Sequence, residues 1–304
     1  MTKVLVDANK YLEFYQATPS GPLVPLLAAL GDNLLIPKQI VYEVQRNKVS
    51  LSQSLLSQSW PKKSLQYSYP SHLMSFDMTK LDDINQRMKE INNRSTAIQR
   101  DLNAAFATTV ADIANGRDPV SIQLAPLFAK AIDPTPEELA KARLRKEIGN
   151  PPGKRTDPLG DQVTWEQFLS RINGEPLLWI ITGDGDYRYE MPDKIFVLNP
   201  ILRDDVNRVS GIETEVRCFA TLADGLKDAL DTLALQPEKQ LSREEIADIR
   251  QSELESAARS KTPSVVCPTC GGATSWHALQ AVQGYHGGIV FFICPLCGAK
   301  FDTE

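Results

Sequence analysis

Three short, almost wholly apolar runs constrain this chain more than any other feature: Lys3-Val-Leu-Val-Asp7, Asn33-Leu-Leu-Ile36 and Leu177-Leu-Trp-Ile-Ile-Thr182. Strands with one wet face alternate apolar and polar residues. Strands buried on both faces do not, and such strands belong to parallel sheets covered by helices. The first run predicts a strand closed by an acid, followed by a helix from about Asn9. Gly21-Pro22 is expected to break that helix, with Leu23–Leu30 forming a second one ended by Gly31. Pro37 stands where the first residue of a helix would stand, and Gln39–Gln45 continues that helix. Strand, helix, strand, helix is the signature of an α/β sheet.

The middle of the chain reads differently. Val49–Ser75 is rich in Ser, Gln and Tyr and has no clear period. Leu81–Ala114 carries Leu81, Ile84, Met88, Ile91, Ile98, Leu102 and Phe106 at helical spacing, which predicts one long helix or a helical hairpin ended by Gly116. Pro134–Ile148 is a further helix with Lys141, Arg143, Arg145 and Lys146 towards its end. Asn150–Pro158 is a loop by composition and carries Lys154 and Arg155. The α/β pattern then resumes with a helix over Asp161–Ile172, the third strand, a fourth strand over Lys194–Leu198 and a closing helix over Leu222–Leu233, capped by Thr221. A linker starts at Pro237, and Ser242 with Glu245 makes a capping-box pattern for a polar connecting helix to Ser260. The division expected is 1–236 for the α/β domain, with a helical insert at about 48–156, then 237–262 for the linker helix and 263–304 for a small terminal domain.

The net charge of −5 argues against a nucleic-acid partner, but its distribution argues for one. Lys48–Thr156 holds sixteen Lys and Arg against eleven Asp and Glu, a balance of +5, which leaves −10 on the remainder. A basic insert on an acidic body suits carboxylate metal ligands beside a phosphate-gripping surface. An ordinary solvated helical face accounts for the same charges equally well. No apolar run reaches the ~20 residues that span a bilayer. The start of the chain lacks the pattern of a secretory signal, so a reducing cytoplasmic setting without a membrane partner is expected.

Open parallel sheets bind ligands at the carboxyl ends of their strands. Asp7 closes the first strand, Asp184 and Asp186 follow the third, Glu43 lies about two turns into the helix after the second, and Asp157 and Asp161 open the helix after the proline-rich loop. Each acid alone has a structural explanation, as a turn residue or a helix N-terminus. Together, from four chain-distant segments, they would repel one another unless a cation stood between them. Mg²⁺ or Mn²⁺, one or two ions, suits such an oxygen-rich set. Asp157, next to Pro158, is the weaker choice in its segment.

The segments VLVDANKYLEFY, IPKQIVYEV, PPGKRTDPLGDQVTWEQFL and WIITGDGDY resemble the ordered motifs of PIN-domain nucleases, in particular the bacterial PIN-like group with a helical insert. The resemblance covers roughly residues 3–200, the insert excluded. It implies a PIN-like parallel sheet flanked by helices, with metal-ligating and catalytic acids at Asp7, Glu43, Asp161 and Asp184 and the family's extra acid at Asp186. It also implies small polar positions beside the metal and substrate at Asn9 and Thr182. Phosphodiester hydrolysis follows from it, with RNA the commoner substrate. Lys154 and Arg155, leading into Asp161, are expected to contact phosphate. The alternatives are a DNA or structure-specific nuclease on the same site, or a binding module that kept the fold without the activity. The three histidines lie outside these motifs, and His72 falls in the insert.

Cys267-Pro-Thr-Cys270 and Cys294-Pro-Leu-Cys297 form two matching knuckles separated by 23 residues. Four thiolates from two tight turns make a closed tetrahedral site, so the segment resembles a zinc ribbon holding one structural Zn²⁺. Gly288–Ile293 would be the strand leading into the second knuckle. A rubredoxin-like iron site is the rival, and zinc is preferred because no redox motif accompanies it. Trp276, Tyr285 and Phe291 are read chiefly as the core of this small domain, and Cys218 as a buried apolar residue. The ribbon could serve a protein partner, and homo-oligomerisation is left open.

Overall fold

The computed structural model describes residues 2–16, 18–59, 78–153, 159–192, 195–237 and 241–261, and beyond these only 264–266, 273–275, 280–283, 290–293 and 299–301. Two compact units divide the chain: Met1–Ser52 with Ile113–Lys261, and Gln53–Asp112 with Thr262–Glu304.

The first unit opens with β1 (Lys3–Val6), α1 (Ala8–Leu12) and a 3-10 turn (Glu13–Tyr15), followed by α2 (Ser20–Ala29), β2 (Leu34–Leu35) and the start of α3 (Lys38–Ser59). α4 (Met78–Ala114) belongs mostly to the second unit. α5 (Pro119–Phe128), α6 (Pro136–Glu147), α7 (Gly160–Leu169), β3 (Leu177–Ile181), β4 (Arg188–Glu190), β5 (Phe196–Leu198), α8 (Pro200–Ser210), β6 (Glu215–Phe219), α9 (Leu222–Thr232) and α10 (Arg243–Lys261) complete the first unit. β2, β1, β3 and β6 form, in that order, a four-stranded parallel sheet. Val4, Leu5, Val6, Leu178, Trp179, Ile180 and Ile181 are at most 1% exposed, which is why these strands carry no alternation.

Several boundaries differ from expectation. Gly21-Pro22 opens α2 instead of ending a helix, because proline's missing N–H costs nothing in a first turn. The first helix ends earlier, at Leu12, and a 3-10 turn follows to Tyr15. α3 runs on to Ser59, well past Gln45, and α4 is one continuous helix of 37 residues. Lys194–Leu198 does not supply the fourth strand of the main sheet. β5 pairs antiparallel with β4, and the fourth parallel strand is β6. Its sequence, Glu-Val-Arg-Cys-Phe, mixes charge with apolar residues because it is the sheet's edge.

A buried ion network anchors the chain that leads into α7. Arg145 donates through Nε to Glu166 at 2.7 Å, through Nη2 to Asp205 at 2.6 Å and through Nη1 to the Pro151 carbonyl at 2.8 Å. Trp165 donates its indole N–H to the same Asp205 carboxylate. One guanidinium thus joins α6, α7, α8 and the proline-rich loop. Lys141 pairs with Glu137 one turn back on its own helix, and buried Lys48 donates to Ser121 Oγ. Two cations counted towards a basic phosphate-gripping insert, Arg145 and Lys48, are therefore committed to buried internal contacts.

α10 is polar in composition, yet Ile249 and Glu253 are 4% and 1% exposed. The Glu253 carboxylate accepts from the backbone N–H groups of Leu222 and Ala223, capping α9 from a neighbouring helix.

In the second unit, β7 (Ser264–Val266) pairs antiparallel with β8 (Ala273–Ser275), and β9 (Gln280–Gln283), β10 (Val290–Ile293) and β11 (Lys300–Phe301) form a three-stranded antiparallel sheet. Cys267, Cys270, Cys294 and Cys297 lie outside the described residues, as do His72, Trp276 and Tyr285. Cys218 is buried in β6 and is a free thiol.

Candidate active site

The first three strands of the main sheet point their carboxyl ends at one cavity of about 420 Å³. Asp7 lines it from the end of β1, Glu43 from α3, Asp161 from the first turn of α7 and Asp184 from the turn after β3. Asn9, Gln39, Arg46, Asn47 and Gly160 complete the lining. The four acids from chain-distant segments therefore share one concave site. Asp186 does not line it; its backbone N–H donates to Asp184 Oδ1 at 3.0 Å and fixes that carboxylate.

Asp7 is the most constrained of the four. It caps α1 by accepting from the Ala8 N–H at 2.7 Å. Its other oxygen accepts from the Thr182 hydroxyl at 2.6 Å and from the Asn9 side-chain amide at 2.8 Å. The Thr182 hydroxyl in turn accepts from the Asp184 N–H at 2.9 Å. Thr182 is fully buried and ties the Asp7 carboxylate to the backbone of Asp184. Asn9 remains on the cavity wall.

Glycines set the approach distances. At Gly160 an added Cβ would lie 2.8 Å from the Gln39 side-chain amide, so Gln39 would have to swing aside to admit a side chain at the start of α7. Gly153, at φ +88°, packs so tightly that a Cβ would stand 2.5 Å from the Gln162 amide and 3.2 Å from Asp161 Oδ2. The glycines of the PPG and GD segments thus bring Asp161 to the site.

The electrostatics are those of crowded, half-dry acids. Burial raises the Asp7 carboxyl above its ordinary range, and Asp184 adds to the shift, while the Thr182 and Ala8 hydrogen bonds and Lys10 oppose it. Burial, then the charges of Asp7 and Asp184, push Glu43 up to about 7, with Arg46 opposing. Tyr187 is buried below the cluster, and the charges of Asp161, Asp7, Asp184 and Glu43 all hold its phenol protonated. Behind Asp7, buried Lys10 donates to Glu13 at 2.5 Å and lies within 3.7 Å of where a Gly183 Cβ would be.

All four acids supply hard oxygen donors, which fit Mg²⁺ or Mn²⁺ and not a soft metal. Among the described residues no three acid, imidazole or thiolate groups already stand close enough to share an ion. Mg²⁺ does not require that, since it keeps several waters and uses one or two carboxylates with substrate phosphate.

The family model described as a PIN like domain matches residues 3–185. The chain belongs to the PIN-like domain family. No curated protein and no solved structure matches it. PIN-like domains are generally nucleases, and the matched span holds all four acids. Lys154, Arg155 and Asp157 fall within that span but outside the described residues. Arg46 and Tyr187 were not legible as site residues of a PIN-like domain. Arg46 follows Glu43 by three residues, one helical turn, which is the signal that could have found it.

Proposed function

We propose that this chain is a divalent-metal-dependent nuclease that hydrolyses phosphodiester bonds, with RNA as its substrate. One observation carries the reading: Asp7, Glu43, Asp161 and Asp184 come from four separate segments to one cavity at the carboxyl ends of a parallel sheet. Asp7 and Asp184, joined through Thr182, would hold the ion, with Glu43 and Asp161 facing it. When bound, the ion supplies an activated water and neutralises charge on the scissile phosphate. The chain's own contribution is orientation. Asn9 and Thr182 fix the Asp7 carboxylate, and Lys10 sets a buried positive charge behind it. Arg46, the one cation lining the cavity among the described residues, is positioned to hold a substrate phosphate. Lys154 and Arg155 are proposed as further phosphate contacts. RNA is preferred over DNA because RNA is the commoner substrate of the PIN-like nucleases that the motifs resemble.

On the same reading Cys267, Cys270, Cys294 and Cys297 hold one structural Zn²⁺, and the protein works in the cytoplasm, where such thiolates stay reduced. Among the described residues no helix is long and apolar enough to cross a membrane. The substrate assignment is checked by digesting single-stranded RNA, single-stranded DNA and both duplexes side by side with Mg²⁺ and with Mn²⁺. Single-stranded RNA should be cut fastest; faster cutting of DNA would transfer the same site to the DNA-nuclease reading.

A further inference from the structure

α4 is 37 residues long and mostly solvent-exposed, yet its apolar residues are not scattered. Ile84, Ile91 and Ile98 recur every seven residues and are 41%, 51% and 61% exposed. Met88, Ser95 and Leu102 alternate with them at the complementary spacing, so the row advances by four and then three residues throughout. In sequence the same spacing begins at Leu81 and ends at Ala105, more than three heptads. A solvated surface helix has no reason to keep this register. A coiled-coil seam does, because each such residue must face its partner at every second turn.

We propose that this stripe is a self-association surface, joining α4 to the α4 of other copies of this chain in a parallel coiled coil. The charges flanking the seam support copies of the same helix in parallel. One flank carries Arg87, Arg94 and Asp101, and the other carries the neutral amides Asn85, Asn92 and Gln99. In a parallel assembly these two flanks face each other, so no like charges meet. An antiparallel pair centred on the same span would set Arg94 against Arg94, with Arg87 beside Asp101. The β-branched isoleucines fill the position that packs poorly in a two-stranded parallel seam, and the alternating position holds Met and Leu. That arrangement favours three or four helices over two. Ser95 lies mid-seam, where a polar residue fixes register at some cost in affinity. The exposed seam from Ile84 to Leu102 rises about 27 Å, long enough for register to be specific.

The proposal does not depend on the nuclease reading and is tested without it. Light scattering on the full-length protein across ~1–100 µM should give three or four times the mass of one chain, with dissociation on dilution. Ile91→Glu/Ile98→Glu should bring the mass to that of one chain at every concentration. Because both side chains are exposed, circular dichroism and the melting transition of the first unit should be unchanged. The conservative pair Ile91→Leu/Ile98→Leu should still associate. A wild type of one-chain mass throughout, as would follow if another segment of the chain or a different protein covered the stripe, overturns the proposal. So does an oligomer that survives the glutamate substitutions.

Discussion

Thr182 shows how one hydroxyl can set two acids. It donates to the Asp7 carboxylate and accepts from the Asp184 backbone N–H in a fully buried position, so it fixes the Asp7 carboxylate and the turn that carries Asp184. Groups that orient metal ligands typically contribute 10- to 100-fold in metal affinity or activity. Thr182→Val keeps the volume and removes both hydrogen bonds. Half-saturating Mn²⁺ for the purified variant, read by calorimetry, should rise by about 10- to 100-fold while the fold is retained. An unchanged metal affinity would mean that Thr182 serves packing alone. Arg46 acts on the substrate side. Arg46→Ala should weaken binding of a single-stranded oligonucleotide and reduce the slope of log affinity against log salt by about 1, as expected for one lost phosphate contact. Metal affinity should stay within about threefold. If the salt slope does not move, Arg46 only balances Glu43.

At the scale of elements, the parts legible in the sequence were those whose signal is local. β1 and β3 announced themselves by unbroken apolar runs, α9 by the Thr221 cap and α7 by the proline-rich loop before it. The misreadings share a physical cause. β5 and β6 are short, the apolar one stays outside the main sheet and the mixed one joins it, and only their neighbours in space decide this. α10 hides its seat because the buried contact is a glutamate, a residue type that composition assigns to solvent. Arg145 read as one of four surface cations, and only the fold reveals the two acids that enclose it. Of the candidate site, Asp7 and Asp184 were legible because strand ends are legible, and Glu43 and Asp161 because the motifs around them resemble those of PIN domains. Arg46 and Tyr187 were not, since each faces the cluster from an element whose orientation depends on packing. The approach of α7 to the acids is set by a residue with no side chain. Gly153→Ala would meet Gln162 and force an alanine to φ +88°, a strained conformation costing roughly 1–3 kcal/mol. Urea unfolding should show that loss, and cleavage should fall more steeply than stability because Asp161 is displaced. A variant as stable and as active as the wild type would show that the close approach is not needed.

For the molecule as a whole, the buried charges behind the site make stability depend on pH in an unusual direction. Burial pushes Glu13 from 4.5 up to about 7, although Lys10 pulls it down. The folded protein then binds a proton between about pH 4.5 and 7 that the unfolded chain does not. This stabilising term is absent above about 7, grows as pH falls through the folded value and is complete near the unfolded one. The full span is about 3 kcal/mol. Denaturant titrations in chelator should therefore show wild type gaining stability relative to Glu13→Gln between pH 7 and 5, and parallel curves would contradict the buried-acid account. The central claim is that four converging acids make this PIN-like domain a metal-dependent nuclease. It is tested most directly by single-turnover cleavage of end-labelled single-stranded RNA, with Mn²⁺ or with chelator, for the wild type and for Asp7→Asn. The account predicts cleavage by the wild type with Mn²⁺, none with chelator and a loss of at least about 100-fold in Asp7→Asn. Cleavage that persists in chelator, or an Asp7→Asn variant as fast as the wild type, would contradict it.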